Sequence, residues 1–124
     1  MATVLIVDDE EMVLKLCSGI LRFGGHNVLS ATGAESALRL LDDKAATVDL
    51  AVLDIMMPGV NGIQLAARIQ SAHPRIGIIL MTGYTLVEIQ GLTGEKNPYR
   101  IIWKPFKIDS FLRMIDNALE SLPG

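Results

Sequence analysis

Five short apolar runs, Thr3–Val7, Asn27–Ala31, Leu50–Leu53, Gly77–Met81 and Ile101–Trp103, recur along the chain with a helix-length segment between each and the next. Most are apolar throughout instead of alternating with polar residues, as expected of parallel strands covered on both faces. The segments between them carry helical stripes. About Glu10 to Phe23, the residues Val13, Leu16, Cys17 and Ile20 recur at i, i+3, i+4 and i+7, and Gly24-Gly25 ends the pattern. About Ala34 to Asp42 the stripe is Ala37, Leu38 and Leu41. About Gly62 to Ala72 it is Leu65, Ala66 and Ile69, with His73-Pro74 as the stop. About Ile108 to Leu122 it is Phe111, Leu112, Ile115 and Leu119. Only Leu86 to about Leu92 is weak, because Gly94, Asn97 and Pro98 follow it. Five strands alternating with five helices predict an α/β fold: a doubly wound parallel sheet between two helical layers, with right-handed crossovers.

The chain has 124 residues, half of them hydrophobic, which suits a single domain over residues 1–124 with an ample core. A net charge of −3 gives no broad basic surface, so direct nucleic-acid binding is not expected. No apolar run approaches the ~18–20 residues that span a bilayer, and the start lacks the order of a signal peptide. Cys17 is the single cysteine, which excludes a disulfide framework. A cytoplasmic setting is expected.

Ligands of open α/β sheets bind beyond the carboxyl ends of the strands. At that edge the first run ends in Asp8-Asp9, the third in Asp54, the fourth in Thr82 and the fifth in Lys104-Pro105. Each has an ordinary alternative. Asp8 or Asp9 could cap the following helix, Asp54 and Thr82-Gly83 could form turns, and Lys104 could be a solvated charge. Their convergence argues otherwise. Three carboxylates on one rim repel each other, and a hard divalent cation such as Mg²⁺, bound by carboxylates, waters and phosphate oxygens, relieves that repulsion. With a lysine and a hydroxyl beside it, the set suits phosphoryl transfer to a carboxylate nucleophile.

Four motifs, Val4-Leu-Ile-Val-Asp-Asp-Glu10, Val52-Leu-Asp-Ile-Met-Met-Pro-Gly59, Leu80-Met-Thr-Gly83 and Trp103-Lys-Pro-Phe106, together resemble the receiver domains of bacterial two-component response regulators. The resemblance implies a flavodoxin-like (βα)5 sandwich of strand order 2-1-3-4-5. It implies Asp54 as phosphoacceptor, and Asp9, Asp54 and the backbone carbonyl of Met56 as Mg²⁺ ligands, with Asp8 holding the ion through water. Mn²⁺ can substitute for Mg²⁺. Thr82 would be the switch hydroxyl that turns toward the phosphoryl group, Lys104 the ion-pairing partner of that group, and the Lys104–Pro105 peptide cis. Such a domain is a signalling module and not a free-standing enzyme, although it promotes its own phosphorylation and dephosphorylation. Its donor would be a histidine kinase or a histidine phosphotransfer protein, and the resemblance allows a weak or phosphorylation-dependent dimer.

Two departures stand out. Receivers commonly place Tyr or Phe three residues before the lysine, where this chain has Ile101, so the usual coupling to a rotating aromatic lacks its aromatic. The Gly- and Pro-bearing stretch before the fifth strand is similar to that of receivers at the C-termini of hybrid sensor kinases. Met56 and Tyr84 flank the expected path of attacking water and carry no acid or base, which predicts a slow loss of phosphate. On the first helix, Met12, Lys15 and Gly19, with Leu14 near them, are expected on the outer side as the donor's docking surface.

Three other functions share parts of this pattern. A phosphohydrolase with an aspartyl nucleophile needs a second Asp where Met56 stands, and methionine transfers no proton. A flavin carrier needs a phosphate cradle where Asp8-Asp-Glu-Glu11 would repel one. A receiver that binds partners without being phosphorylated would not need the full set Asp8, Asp9, Asp54, Thr82 and Lys104.

Overall fold

The computed structural model describes residues 2–83, 88, 91 and 98–122. In chain order they form β1 (Thr3–Val7), α1 (Glu11–Phe23), β2 (Asn27–Ala31), α2 (Ala34–Lys44) with a 3₁₀ turn at Ala45–Thr47, β3 (Leu50–Asp54), α3 (Gly62–Ala72), β4 (Gly77–Thr82), β5 (Arg100–Trp103) and α4 (Ile108–Glu120). The weak helical segment expected from Leu86 lies outside the described residues, apart from two isolated positions. All neighbouring strands pair in parallel, in the order β2-β1-β3-β4-β5. This is the flavodoxin-like arrangement expected from the sequence.

Strand alternation divides the core in two. Leu5, Val7, Ala51, Leu53, Ile78 and Leu80 face α2 and α3, meeting Ala37, Leu41, Leu65, Ala66 and Ile69. Val4, Ile6, Val52, Ile79, Met81 and Ile102 face α1 and α4, meeting Leu14, Cys17, Leu21, Phe111, Ile115 and Ala118. With helices covering both faces, the inner strands have no polar side, which is why their sequence runs are apolar without a break.

The phase of α1 differs from the expectation. Its buried residues are Leu14, Cys17, Ser18, Ile20 and Leu21, with Val13 only partly buried. Leu16, expected inside, is 55% exposed, and Leu14, expected near the outer side, is 7% exposed. The set 14, 17, 18, 21 has the same i, i+3, i+4, i+7 spacing as 13, 16, 17, 20, so spacing alone does not choose between them. Leu21, fully buried, completes the stripe that packs on the sheet.

Ends follow local chemistry. Asn61 caps α3: its side chain accepts from Gln64 N–H at 2.9 Å while Asn61 N–H donates to Gln64 Oε1 at 3.0 Å. Among the described residues no helix is long and apolar enough to cross a membrane.

Candidate functional site at the carboxyl edge of the sheet

Alternation also decides where the polar residues go. Asp8, Asp54 and Lys104 continue the rows Val4–Ile6, Leu50–Val52 and Ile102, all directed toward α1 and α4. Three charged groups from three strands are thereby brought to one spot. Asp8 is fully buried and Asp54 nearly so. The Lys104 Nζ donates to Asp8 Oδ2 at 3.2 Å and to Asp54 Oδ1 at 3.4 Å. Glu10 N–H donates to Asp8 Oδ1 at 2.9 Å, which fixes that carboxylate from the helix side. Asp9, exposed, completes the cluster: Asp8, Asp9 and Asp54 each offer an oxygen within 4.8 Å of the others. Those hard oxygens suit a small divalent cation, with Asp8, Asp9 and Asp54 as the residues able to hold it.

The electrostatics are those of a strained site. Burial pushes the Asp54 carboxyl up to about 6, with Asp8 adding to the effect, while Lys104 and the Met56 N–H oppose it. Burial also works against the Lys104 ammonium, but Asp54 and Asp8 outweigh it and hold Lys104 above its ordinary value. Burial, helped by Asp8, pushes the neighbouring Cys17 thiol up to about 11, so it stays a neutral packing group.

Thr82 ends β4 on the opposite row, the one continued from Ile78 and Leu80, and it is buried. Its carbonyl accepts from Lys104 N–H at 2.7 Å, and the Lys104–Pro105 peptide is cis. Ile101 is half-buried against the α2–α3 core. Met56 projects from the loop after β3 and is exposed; Tyr84 lies outside the described residues. On α1, Met12, Lys15 and Gly19 are exposed as expected, and Leu14 is not.

Two contributors were not foreseen. At Gly62 a Cβ would collide with the carbonyl group of Asp54 and crowd Ile55, so the start of α3 rests directly on the Asp54 backbone. Only the turn-like pair Asn61-Gly62 hinted at it. Leu16 lies instead on the outer face of α1, where it lines a groove of about 400 Å³ with Lys15, Gly19, Ile20, Phe23 and Ile108.

Residues 4–116 match the family described as response regulator receiver domain. The chain belongs to that family. Similar proteins include response regulator protein FleR of Pseudomonas aeruginosa, 32% identical over 124 residues, which cover 99% of this chain and 26% of FleR. Transcriptional regulatory protein GlrR of Escherichia coli K12 is 31% identical over 119 residues, 96% of this chain and 26% of GlrR. The receiver spans about a quarter of the length of these relatives. Among solved structures, the receiver domain of NtrX from Brucella abortus superposes with a TM-score of 0.84 at 33% identity, covering 95% of this chain and 98% of that one. A receiver domain of two-component signalling therefore carries the acidic cluster described above.

Proposed function

We propose that this receiver, taken as one domain over residues 1–124, accepts a phosphoryl group on Asp54 in a Mg²⁺-dependent reaction. The observation that carries this reading is the meeting of Asp8, Asp9 and Asp54 oxygens at one rim, with the Lys104 ammonium on Asp8 and Asp54. Asp8, Asp9, Asp54 and the Met56 carbonyl would hold the ion, and Mn²⁺ would serve in its place. When bound, the ion supplies positive charge against the carboxylates and the phosphoryl oxygens.

The chain's own residues do the rest. An Asp54 oxygen attacks phosphorus; the new O–P bond forms as the N–P bond of a phosphohistidine breaks, and the leaving imidazole takes up a proton. With its carboxyl near 6, Asp54 is mostly the nucleophilic anion at neutral pH. Lys104 neutralises charge on the transferred group, and the Thr82 hydroxyl turns to donate to it. Met56 offers no acid or base to orient water at the mouth of the site, so the acyl phosphate is long-lived; Tyr84 has the same part.

The donor is a histidine kinase or a histidine phosphotransfer protein, docked on the outer face of α1. Met12, Lys15, Leu16 and Gly19 form that surface, with Leu16 replacing Leu14 in it. The Gly- and Pro-bearing stretch before β5 supports a cytoplasmic receiver of the kind found at the ends of hybrid kinases.

The test is chemical. With acetyl phosphate and Mg²⁺, intact-mass and peptide analysis should find one phosphoryl group, on Asp54, and none on Asp54→Asn. A variant modified as fully as the parent would overturn the assignment. A parent left unmodified would favour a module that binds partners without phosphorylation.

A further inference from the structure

Met56 meets the site with its main chain and the solvent with its side chain. Its N–H donates to the Asp54 carboxylate, while the residue stands 61% exposed. Met57 N–H and Gly62 N–H both donate to the Ile55 carbonyl at 3.1 Å, and the first of these bonds closes a three-residue turn with Met56 at its centre. Gly62 in turn rests on the Asp54 main chain, where a Cβ would not fit. The loop that carries Met56 is thus tied to Asp54 at both ends. Its side chain starts from a point fixed beside the carboxylate, and three rotatable bonds let the thioether range over the mouth of the site.

An exposed methionine by itself needs no purpose. Met56 differs because its own amide is bonded to the carboxylate, so a change at its sulfur is made within one side chain's length of Asp54. The other sulfurs are mostly shielded. Met57 and Met81 are buried, and Met114 packs against the core. Cys17 is fully buried with its thiol pushed up to about 11, so little of the oxidisable thiolate is present. Among the described residues, only Met12 and Met56 present a sulfur-bearing side chain mainly to solvent.

We propose that Met56 is an oxidation site through which a peroxide shortens the life of the phosphoryl group on Asp54. This rests on Asp54 being the phosphoacceptor. The sulfur lone pair attacks one peroxide oxygen; the S–O bond forms, the O–O bond breaks, and the other oxygen takes up the proton and leaves as water. The sulfur is oxidised and the peroxide reduced. The sulfoxide oxygen is a strong hydrogen-bond acceptor where the thioether was a weak one. It holds a water facing the phosphoryl group. The water oxygen attacks phosphorus, the bond to Asp54 breaks, the carboxylate returns as its anion, and the water's proton leaves with inorganic phosphate. The sulfoxide orients that water and takes no proton from it.

The intact chain is treated with dilute hydrogen peroxide, and catalase removes the excess before acetyl phosphate and Mg²⁺ are added. Peptide mass analysis should find an added oxygen on Met56, with Met12 also modified and Met57 and Met81 spared. Asp54 phosphate should then decay faster than in the untreated chain, by roughly tenfold for one hydrogen bond of ordinary net strength. Methionine sulfoxide reductase with a thiol should restore the slow decay. Met56→Leu, compared with its own untreated sample, should not respond to peroxide, and Met12→Leu should respond as the parent does. Unchanged or slower decay in a parent oxidised at Met56 overturns the inference. So does a Met56 left intact while Met12 is modified, or an equal acceleration in Met56→Leu. An untreated parent that takes no phosphate removes the phosphoacceptor reading itself, which the other failures leave standing.

Discussion

Replacing Asp54 by Asn should stabilise the metal-free protein at neutral and alkaline pH. The folded state raises the Asp54 carboxyl from 3.8 to about 6, chiefly by burial. A raised value means that the folded state prefers the protonated acid. The group costs nothing below its unfolded value, and the cost appears as pH rises through the interval between the two. Roughly two pK units at 1.36 kcal/mol each give about 3 kcal/mol by pH 8. The attraction of Lys104 is already contained in that figure, because it opposes the rise. Asparagine keeps the shape and cannot ionise, so its advantage over the parent should be near zero around pH 4 and grow to about 3 kcal/mol at pH 8. Urea unfolding in EDTA at several pH values measures the gap directly, and thermal unfolding should show it as roughly 10 °C in Tm. A variant no more stable than the parent at high pH would refute the reasoning. An equal gap at low pH would also refute it, because the gain would then come from the amide and not from the lost charge.

Three further outcomes follow from the same geometry. Mg²⁺ should stabilise the parent by linkage, about 2.7 kcal/mol at a hundredfold excess over its dissociation constant, and Asp9→Asn should lose more of that gain than Asp8→Asn; a thermal shift blind to Mg²⁺ in all three proteins would count against the site. Met56→Asn places a water-orienting amide at the mouth of the acceptor and should speed dephosphorylation, measured as the decay of Asp54 phosphate after donor removal; unchanged or slower decay would defeat that role. Leu16→Glu and Gly19→Glu should slow transfer from the cognate phosphohistidine protein and leave acetyl phosphate labelling intact, whereas Leu14→Glu should unfold the domain by burying a charge; no loss with either donor in the first two variants would put the docking surface elsewhere, and equal loss with both would mean a damaged fold or active site.

The sheet was legible because strands covered on two faces leave an unmistakable apolar run, and the runs sit between helical stripes. The site was legible because Asp8, Asp9, Asp54, Thr82 and Lys104 each lie at the carboxyl end of a run, which is where such sheets bind ligands. The facing of α1 was not legible. Val13, Leu14, Leu16, Cys17, Ile20 and Leu21 contain two overlapping stripes, and only contact with the sheet selects the one through Leu14 and Leu21. The burden on Gly62 was hidden for a related reason. Its lack of a side chain matters only because the start of α3 comes back onto the Asp54 carbonyl, eight residues earlier in the chain. Helix ends were readable where a terminator stood, as at Gly24 and His73-Pro74. The end of α2 was misplaced by two residues, because Asp43 and Lys44 are polar yet carry no breaker.

The period-2 alternation of the strands does more than separate two cores. It sends the charged groups Asp8, Asp54 and Lys104 to the α1–α4 side and sends Thr82 with Trp103 to the α3 side. On the proposed reading, a donor docked on α1 would approach Asp54 from the side where the charges already point. Thr82 sits on the other row, continued from Ile78 and Leu80. A one-residue slip of β4 against its neighbours would bring Thr82 among the carboxylates and carry Met81 to the α3 side, leaving the site without a donor on that row. On the proposed reading, a substitution on the outer face of α1 should then change the rate of transfer without disturbing the row that carries Thr82.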